Sequence, residues 1–117
     1  MSLQVLVWLP EPFRLVDGTE DGSELAGFES ARTKLWGSEA VIELGAVFFP
    51  RLRGGDLYVQ PEEMAEFRAE CALLATHTDD LLTEASGYSE EYIATRLQNI
   101  TNAANRATAI GGGILIW

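Results

Sequence analysis

Two side chains of this sequence have the chemistry of a nucleophilic or redox site, and each type occurs once. The 117 residues contain one cysteine, Cys71, and one histidine, His77, six positions later. Nucleophilic catalysis needs a base held beside the nucleophile, and this spacing does not place the two side chains on one helical face. Cys71 falls on the apolar face of a predicted helix, which indicates a small core residue. We therefore predict no catalytic residues.

Two acidic segments are the candidates for a metal site. His77 and Asp80 share a helical face and Asp79 lies beside them, but a structural zinc site needs four strong ligands. Residues 17–23 match the first half of a calcium loop, whose twelfth position should supply a bidentate glutamate. That position is Phe28. Both patterns are incomplete, so we predict neither a metal nor a cofactor.

Charge is the feature that most restricts the function. Eighteen acidic residues against eight basic ones give a formal net charge of −10 at pH 7. A surface this acidic repels nucleic acid and anionic lipid and attracts basic partners. No apolar run approaches the roughly 18 residues of a membrane span, and residues 1–5 lack the basic start of a signal peptide. The sequence therefore predicts a cytoplasmic protein that binds neither nucleic acid nor a membrane.

Three acidic groups are the predicted partner-binding residues. The first is a loop with Asp17, Glu20, Asp21 and Glu24, the second is a helix with Glu62, Glu63, Glu66 and Glu70, and the third is the pair Asp79 and Asp80. We expect the four helix glutamates on the face opposite Met64, Phe67 and Cys71. A row of acids is by itself a solvated helix face, so the binding interpretation depends on the charge of the whole chain.

Runs of β-branched and aromatic residues predict three strands. Residues 3–9 are apolar on both faces, which indicates a buried strand. Residues 56–60 predict a short strand and residues 114–117 a last one, and we expect the first and last strands to pair. Residues 13–30 have no periodicity and predict a loop. Residues 31–36 fit either a short strand or the run-in to a helix.

Capping residues and apolar periodicity predict the helices. Residues 39–49 fit a buried helix that Pro50 ends, but they also fit a strand. Pro61 predicts the start of a helix that runs to about residue 82, with apolar residues at i, i+3, i+7 and i+10. Ser89 predicts the cap of a further helix, and the glycines 111–113 predict its end.

These elements predict one α+β domain covering residues 1–117. The N- and C-terminal strands pair in a small sheet, and about three helices pack on one face of it. The three tryptophans, Trp8, Trp36 and Trp117, either belong to the core or mark an exposed apolar seam.

Residues 54–117 resemble small acidic proteins of actinobacteria, many of which resemble immunity proteins of polymorphic toxin systems. The resemblance rests on residues 55–63 (GDLYVQPEE), residues 70–74 (ECALL) and residues 111–117 (GGGILIW). It implies a cytoplasmic antitoxin that binds a cognate basic toxin domain and occludes its active site stoichiometrically, without catalytic residues of its own. Two alternatives stay open: a non-catalytic accessory or homo-oligomeric interaction domain, and an enzyme that uses carboxylates or His77. The sequence leaves the oligomeric state open.

Overall fold

The chain folds as an α+β domain, as the sequence predicts. The computed structural model describes residues 2–10, 12–16, 25–81 and 87–117. The strands are β1 (Ser2–Leu9), β2 (Arg14–Leu15), β3 (Leu25–Phe28), β4 (Leu57–Val59) and β5 (Gly113–Ile116). The helices are α1 (Glu39–Glu43), α2 (Met64–Thr76), α3 (Thr78–Leu81) and α4 (Glu90–Ile110). Shorter helical turns are a π-helical turn, Arg32–Trp36, and two 3₁₀ turns, Phe49–Arg53 and Pro61–Glu63.

Strand β1 is the centre of an antiparallel sheet. Strand β5 pairs with one side of β1, with Val5 opposite Ile116 and Trp8 opposite Gly113. The other side of β1 is shared, because β3 pairs with its first half and β2 with its second half. Strand β4 pairs with the far side of β5. The predicted pairing of the N- and C-terminal strands is therefore confirmed.

The helices cover one face of this sheet. Successive side chains of a strand point to opposite faces, and Leu3, Val5 and Val7 of β1 share their face with Ile114 and Ile116 of β5. These five side chains belong to the buried core. Helix α4 contacts β1, β3 and β5, and α2 packs on α4. The core therefore lies between the sheet and α4.

Helix α4 begins and ends where the sequence predicts. The Ser89 hydroxyl accepts the N–H of Tyr92 at 3.1 Å, which caps the first turn. Gly111 adopts the left-handed conformation, with φ of 73°, that glycine tolerates at a helix C-terminus. Ile93, Leu97 and Ile100 are buried, as the spacing predicts.

Two segments in the first half of the chain differ from their predictions. Residues 39–49 form neither a long helix nor a strand, because α1 ends at Glu43 and the chain turns at Gly45, whose φ is 97°. Pro50 lies in the first turn of the 3₁₀ helix Phe49–Arg53, where a missing N–H costs nothing. Within residues 13–30, strands β2 and β3 form, because pairing with β1 compensates for their weak strand propensity.

The helix predicted after Pro61 is interrupted. A 3₁₀ turn occupies Pro61–Glu63, α2 follows, and His77 leaves the helical conformation with φ of −126° before α3 begins. Of the two predictions for residues 31–36, the run-in to a helix is confirmed, because Arg32–Trp36 form a helical turn before α1.

Candidate protein-binding surfaces

The predicted acidic residues differ in what the structure shows of them. Asp17, Glu20, Asp21 and Glu24 lie outside the described residues, as does the calcium-like pattern of 17–23. The helix glutamates and the pair on α3 are described. Some of these described carboxylates are exposed to solvent, and the others accept hydrogen bonds from backbone N–H groups.

Four of the predicted carboxylates are exposed to solvent. Glu62 lies in the 3₁₀ turn before α2, Glu66 lies in the first turn of α2, and Asp79 and Asp80 lie on α3. In the described part of the chain, the ion pairs involve only Arg32 and Arg53 as cations, and none reaches these four acids. Their negative charges are therefore available to a partner. Glu63 is half-buried instead, and its Oε1 accepts the N–H of Gln60 at 3.0 Å as part of a capping box.

Glu70 does not lie on the exposed face where the sequence places it. Its side chain is buried, with 7% exposed. Its carboxylate oxygens accept backbone N–H groups of Val47, Phe48 and Phe49 at 2.6–3.1 Å. A buried carboxylate is tolerated because these donors replace its water. The prediction that Glu70 contacts solvent beside the other three glutamates is therefore wrong.

Cys71 lies in the core, and the His77 ring contacts residues of the turn that precedes it. Cys71 is buried, as predicted, and burial raises the pKa of its thiol to about 12. The Nδ1 of His77 lies 3.0 Å from the carbonyl oxygen of Leu73 and 2.9 Å from the hydroxyl of Thr76. Among the described residues, no three His, Cys, Asp or Glu side chains form a cluster that would hold a metal ion.

The face of the sheet opposite α4 is apolar, and we call it the open face. Residues opposite one another in paired strands project from the same face, so the pairs Leu6–Leu115 and Trp8–Leu15 belong to it. Tyr58 also belongs to it, since it pairs with Leu115. None of these five residues is part of the core under the helices. In the described chain, the open face is therefore a second apolar layer without a helix on it.

Trp8 lies across the centre of the open face. Its indole N–H donates to the carbonyl oxygen of Ile114 at 3.1 Å. A Cβ on Gly113 would lie 2.6 Å from the indole ring, so the absence of a side chain there makes room for Trp8. The Phe13 ring packs on the indole with centroids 5.3 Å apart. Trp8 is consequently buried, with 5% of its surface exposed.

Large apolar side chains remain exposed around Trp8. The exposed fractions are 56% for Phe13, 39% for Leu15, 47% for Tyr58 and 43% for Trp117. Trp117 extends the pairing of β5 with β1, because its backbone exchanges two hydrogen bonds with that of Gln4. Its indole N–H lies 3.3 Å from the Gln4 side-chain oxygen. The three tryptophans therefore differ. Trp36 belongs to the core under the helices, Trp117 is exposed, and Trp8 is buried on the open face.

Sequence reasoning missed the open face, although a signal for it exists. Residues 3–9, apart from Gln4, and residues 114–117 place apolar side chains on both faces of their strands. This pattern predicts strands that are covered on both sides. Only one covering layer forms within the described residues. The surplus apolar face was the available signal.

The described chain contains no helix with the length and apolar character to cross a bilayer. No protein-family model, no curated protein and no solved structure matches this chain.

Proposed function

We propose that this chain is an immunity-type binding protein that neutralises a cognate basic toxin or enzyme in the cytoplasm. It acts without catalysis, by covering the active site of its partner in a one-to-one complex. The observation that carries the proposal is a group of exposed carboxylates that have no counter-ion among the described residues, Glu62, Glu66, Asp79 and Asp80.

The charge of the chain supports a basic partner. At a net charge of −10, the field of the protein steers a positively charged protein towards it and slows the approach of an acidic one. An enzyme that acts on nucleic acids or nucleotides attracts its substrate with a basic cleft. An acidic protein occupies such a cleft by the same attraction.

The two residues with nucleophile and base chemistry support a non-catalytic role. A buried thiol with a raised pKa stays protonated at neutral pH and is a poor nucleophile. His77 contacts a backbone carbonyl oxygen in the last turn of its own helix.

The second candidate function is a non-catalytic accessory or homo-oligomeric interaction domain. The open face favours it, because an exposed apolar patch commonly marks a protein interface.

Co-expression with the product of the neighbouring gene tests the proposal. We expect that product to arrest growth when it is expressed alone, and this chain to restore growth and co-purify with it in a one-to-one complex weakened by salt. Unrelieved growth arrest, or recovery of this chain only as a defined oligomer of itself, would contradict the proposal.

A further inference from the structure

We propose that the open face is the docking surface of this chain for its basic protein partner. The inference rests on the proposed function and adds the location and the chemistry of the contact. The partner presents an apolar centre to the sheet and surrounds it with arginine and lysine side chains.

Removing water from the open face costs little free energy, because the described strand residues that project from it are uncharged. The residues that project from it include Gln4, Leu6, Trp8, Leu15, Tyr58 and Leu115 of the strands and Trp117 after β5, and none of them is charged. Moving a charged group away from water costs several kcal/mol unless a partner compensates it. The sheet face that no described helix covers is therefore free of charged strand residues although the net charge is −10, as the centre of an interface requires.

Both tryptophans of this face are held in place, and the indole N–H of Trp117 lies 3.3 Å from the side-chain oxygen of Gln4. Trp8 is fixed by its hydrogen bond to Ile114 and supports the Phe13 ring. Trp117 is held by backbone bonds to Gln4 in both directions. Rigid tyrosine and tryptophan side chains lose little conformational entropy on binding, and these residue types dominate the binding energy of protein interfaces. Tyr58 and Trp117, each about half exposed, are therefore the expected anchors.

The size of the patch requires a contribution from its surroundings. With about 200 Å² for each aromatic side chain, the exposed parts of Phe13, Leu15, Tyr58 and Trp117 amount to roughly 300–400 Å². A stable interface buries about 800 Å² on each partner. The contact must therefore extend beyond the apolar centre to the polar rim.

One acidic residue, Glu62, lies close to the end of β4. It follows Val59 by three residues, which limits the distance between their Cα atoms to about 11 Å. The 3₁₀ turn that contains Glu62 also contacts β5. A second copy of this chain would bring a further net charge of −10 to the contact, whereas a basic protein brings counter-ions. The charges therefore favour a basic partner over a second copy.

Paired variants test the location of the contact. The first protein carries Tyr58→Thr and Trp117→Thr, which shorten two exposed anchors and keep a β-branched residue in or beside the sheet. The matched control carries Ile42→Thr and Val47→Thr, two exposed apolar positions on and after α1. The probe is the purified product of the neighbouring gene, titrated calorimetrically, and circular dichroism with urea unfolding verifies that each variant is folded.

We expect the open-face variant to bind at least about thirtyfold more weakly than the wild type, as loss of an interface hot spot does. The control should bind within about twofold of the wild type. Equal affinities of the open-face variant and the wild type would overturn the location while the proposed function stands. A different result is a wild type that does not bind the probe and forms a dimer that the open-face variant does not form. That result would overturn both the location and the proposed function, and it would assign the face to a second copy. A wild-type monomer without affinity for the probe would also overturn both.

Discussion

Both carboxylate oxygens of Glu70 accept the backbone N–H of Phe48, at 3.1 and 3.0 Å. The neighbouring N–H groups of Val47 and Phe49 each donate to one of the same oxygens. Phe48 and Phe49 in turn place their rings on Phe67 of α2, with centroids 5.6 and 5.4 Å apart. A buried charge on α2 thus holds the segment that leads into the 3₁₀ turn Phe49–Arg53.

Glu70→Gln should lower the free energy of unfolding by about 2–3 kcal/mol, because hydrogen bonds to a charged acceptor are replaced and an amide NH₂ faces backbone donors. Urea unfolding followed by tryptophan fluorescence measures the change. Glu66→Gln is the control, since Glu66 is exposed on the same helix and should change stability by less than about 0.5 kcal/mol. Equal effects of the two changes would contradict the role of Glu70.

Gly113→Ala should destabilise the protein by about 2–3 kcal/mol, the upper range for overpacking. The added Cβ would collide with the indole of Trp8 and with the carbonyl oxygen of Val59. Thermal unfolding by circular dichroism measures the loss. Gly54→Ala is the control, since nothing lies near a Cβ there and its backbone is right-handed helical. A Gly113→Ala protein as stable as the control would show that Trp8 does not need this space.

The buried thiol of Cys71 should make stability fall at high pH. Burial raises the pKa of Cys71 from 9.0 to about 12, so above pH 9 the unfolded chain loses this proton while the folded chain keeps it. Stability therefore decreases as pH rises through this window. The difference in unfolding free energy between the wild type and Cys71→Ala should change by about 1.5 kcal/mol against the wild type from pH 9.0 to 10.5. A constant difference would contradict this assignment.

Reversal of exposed acids should slow association with the basic partner. Glu62→Lys with Glu66→Lys should reduce the association rate constant about tenfold at low salt, because steering depends on local charge. Stopped-flow fluorescence measures it, and the effect should shrink at 0.5 M salt through screening. Glu90→Lys with Glu91→Lys is the control with the same change of net charge in the first turn of α4. Equal slowing by both pairs would indicate that only net charge matters.

Much of the fold could be predicted from local patterns. Strand β1, the start of α4 at Ser89 and its end at Gly111 all follow from residues close together in sequence. The exposure of Glu62 and Glu66 was predictable for the same reason, because helical periodicity places them away from Phe67. Strand β3 was not predictable, since its four residues become a strand only by pairing with β1.

The charge of −10, the apolar strands and the capped helix between them follow from composition and from contacts between residues close together in the chain. The burial of Glu70 depends instead on tertiary packing, since its hydrogen-bond donors lie 21–23 residues away. Tertiary packing also decided that Tyr58 and Trp117 remain exposed. A strand with two apolar faces does not specify which face the helices cover, and that choice depends on where α4 packs against the finished sheet.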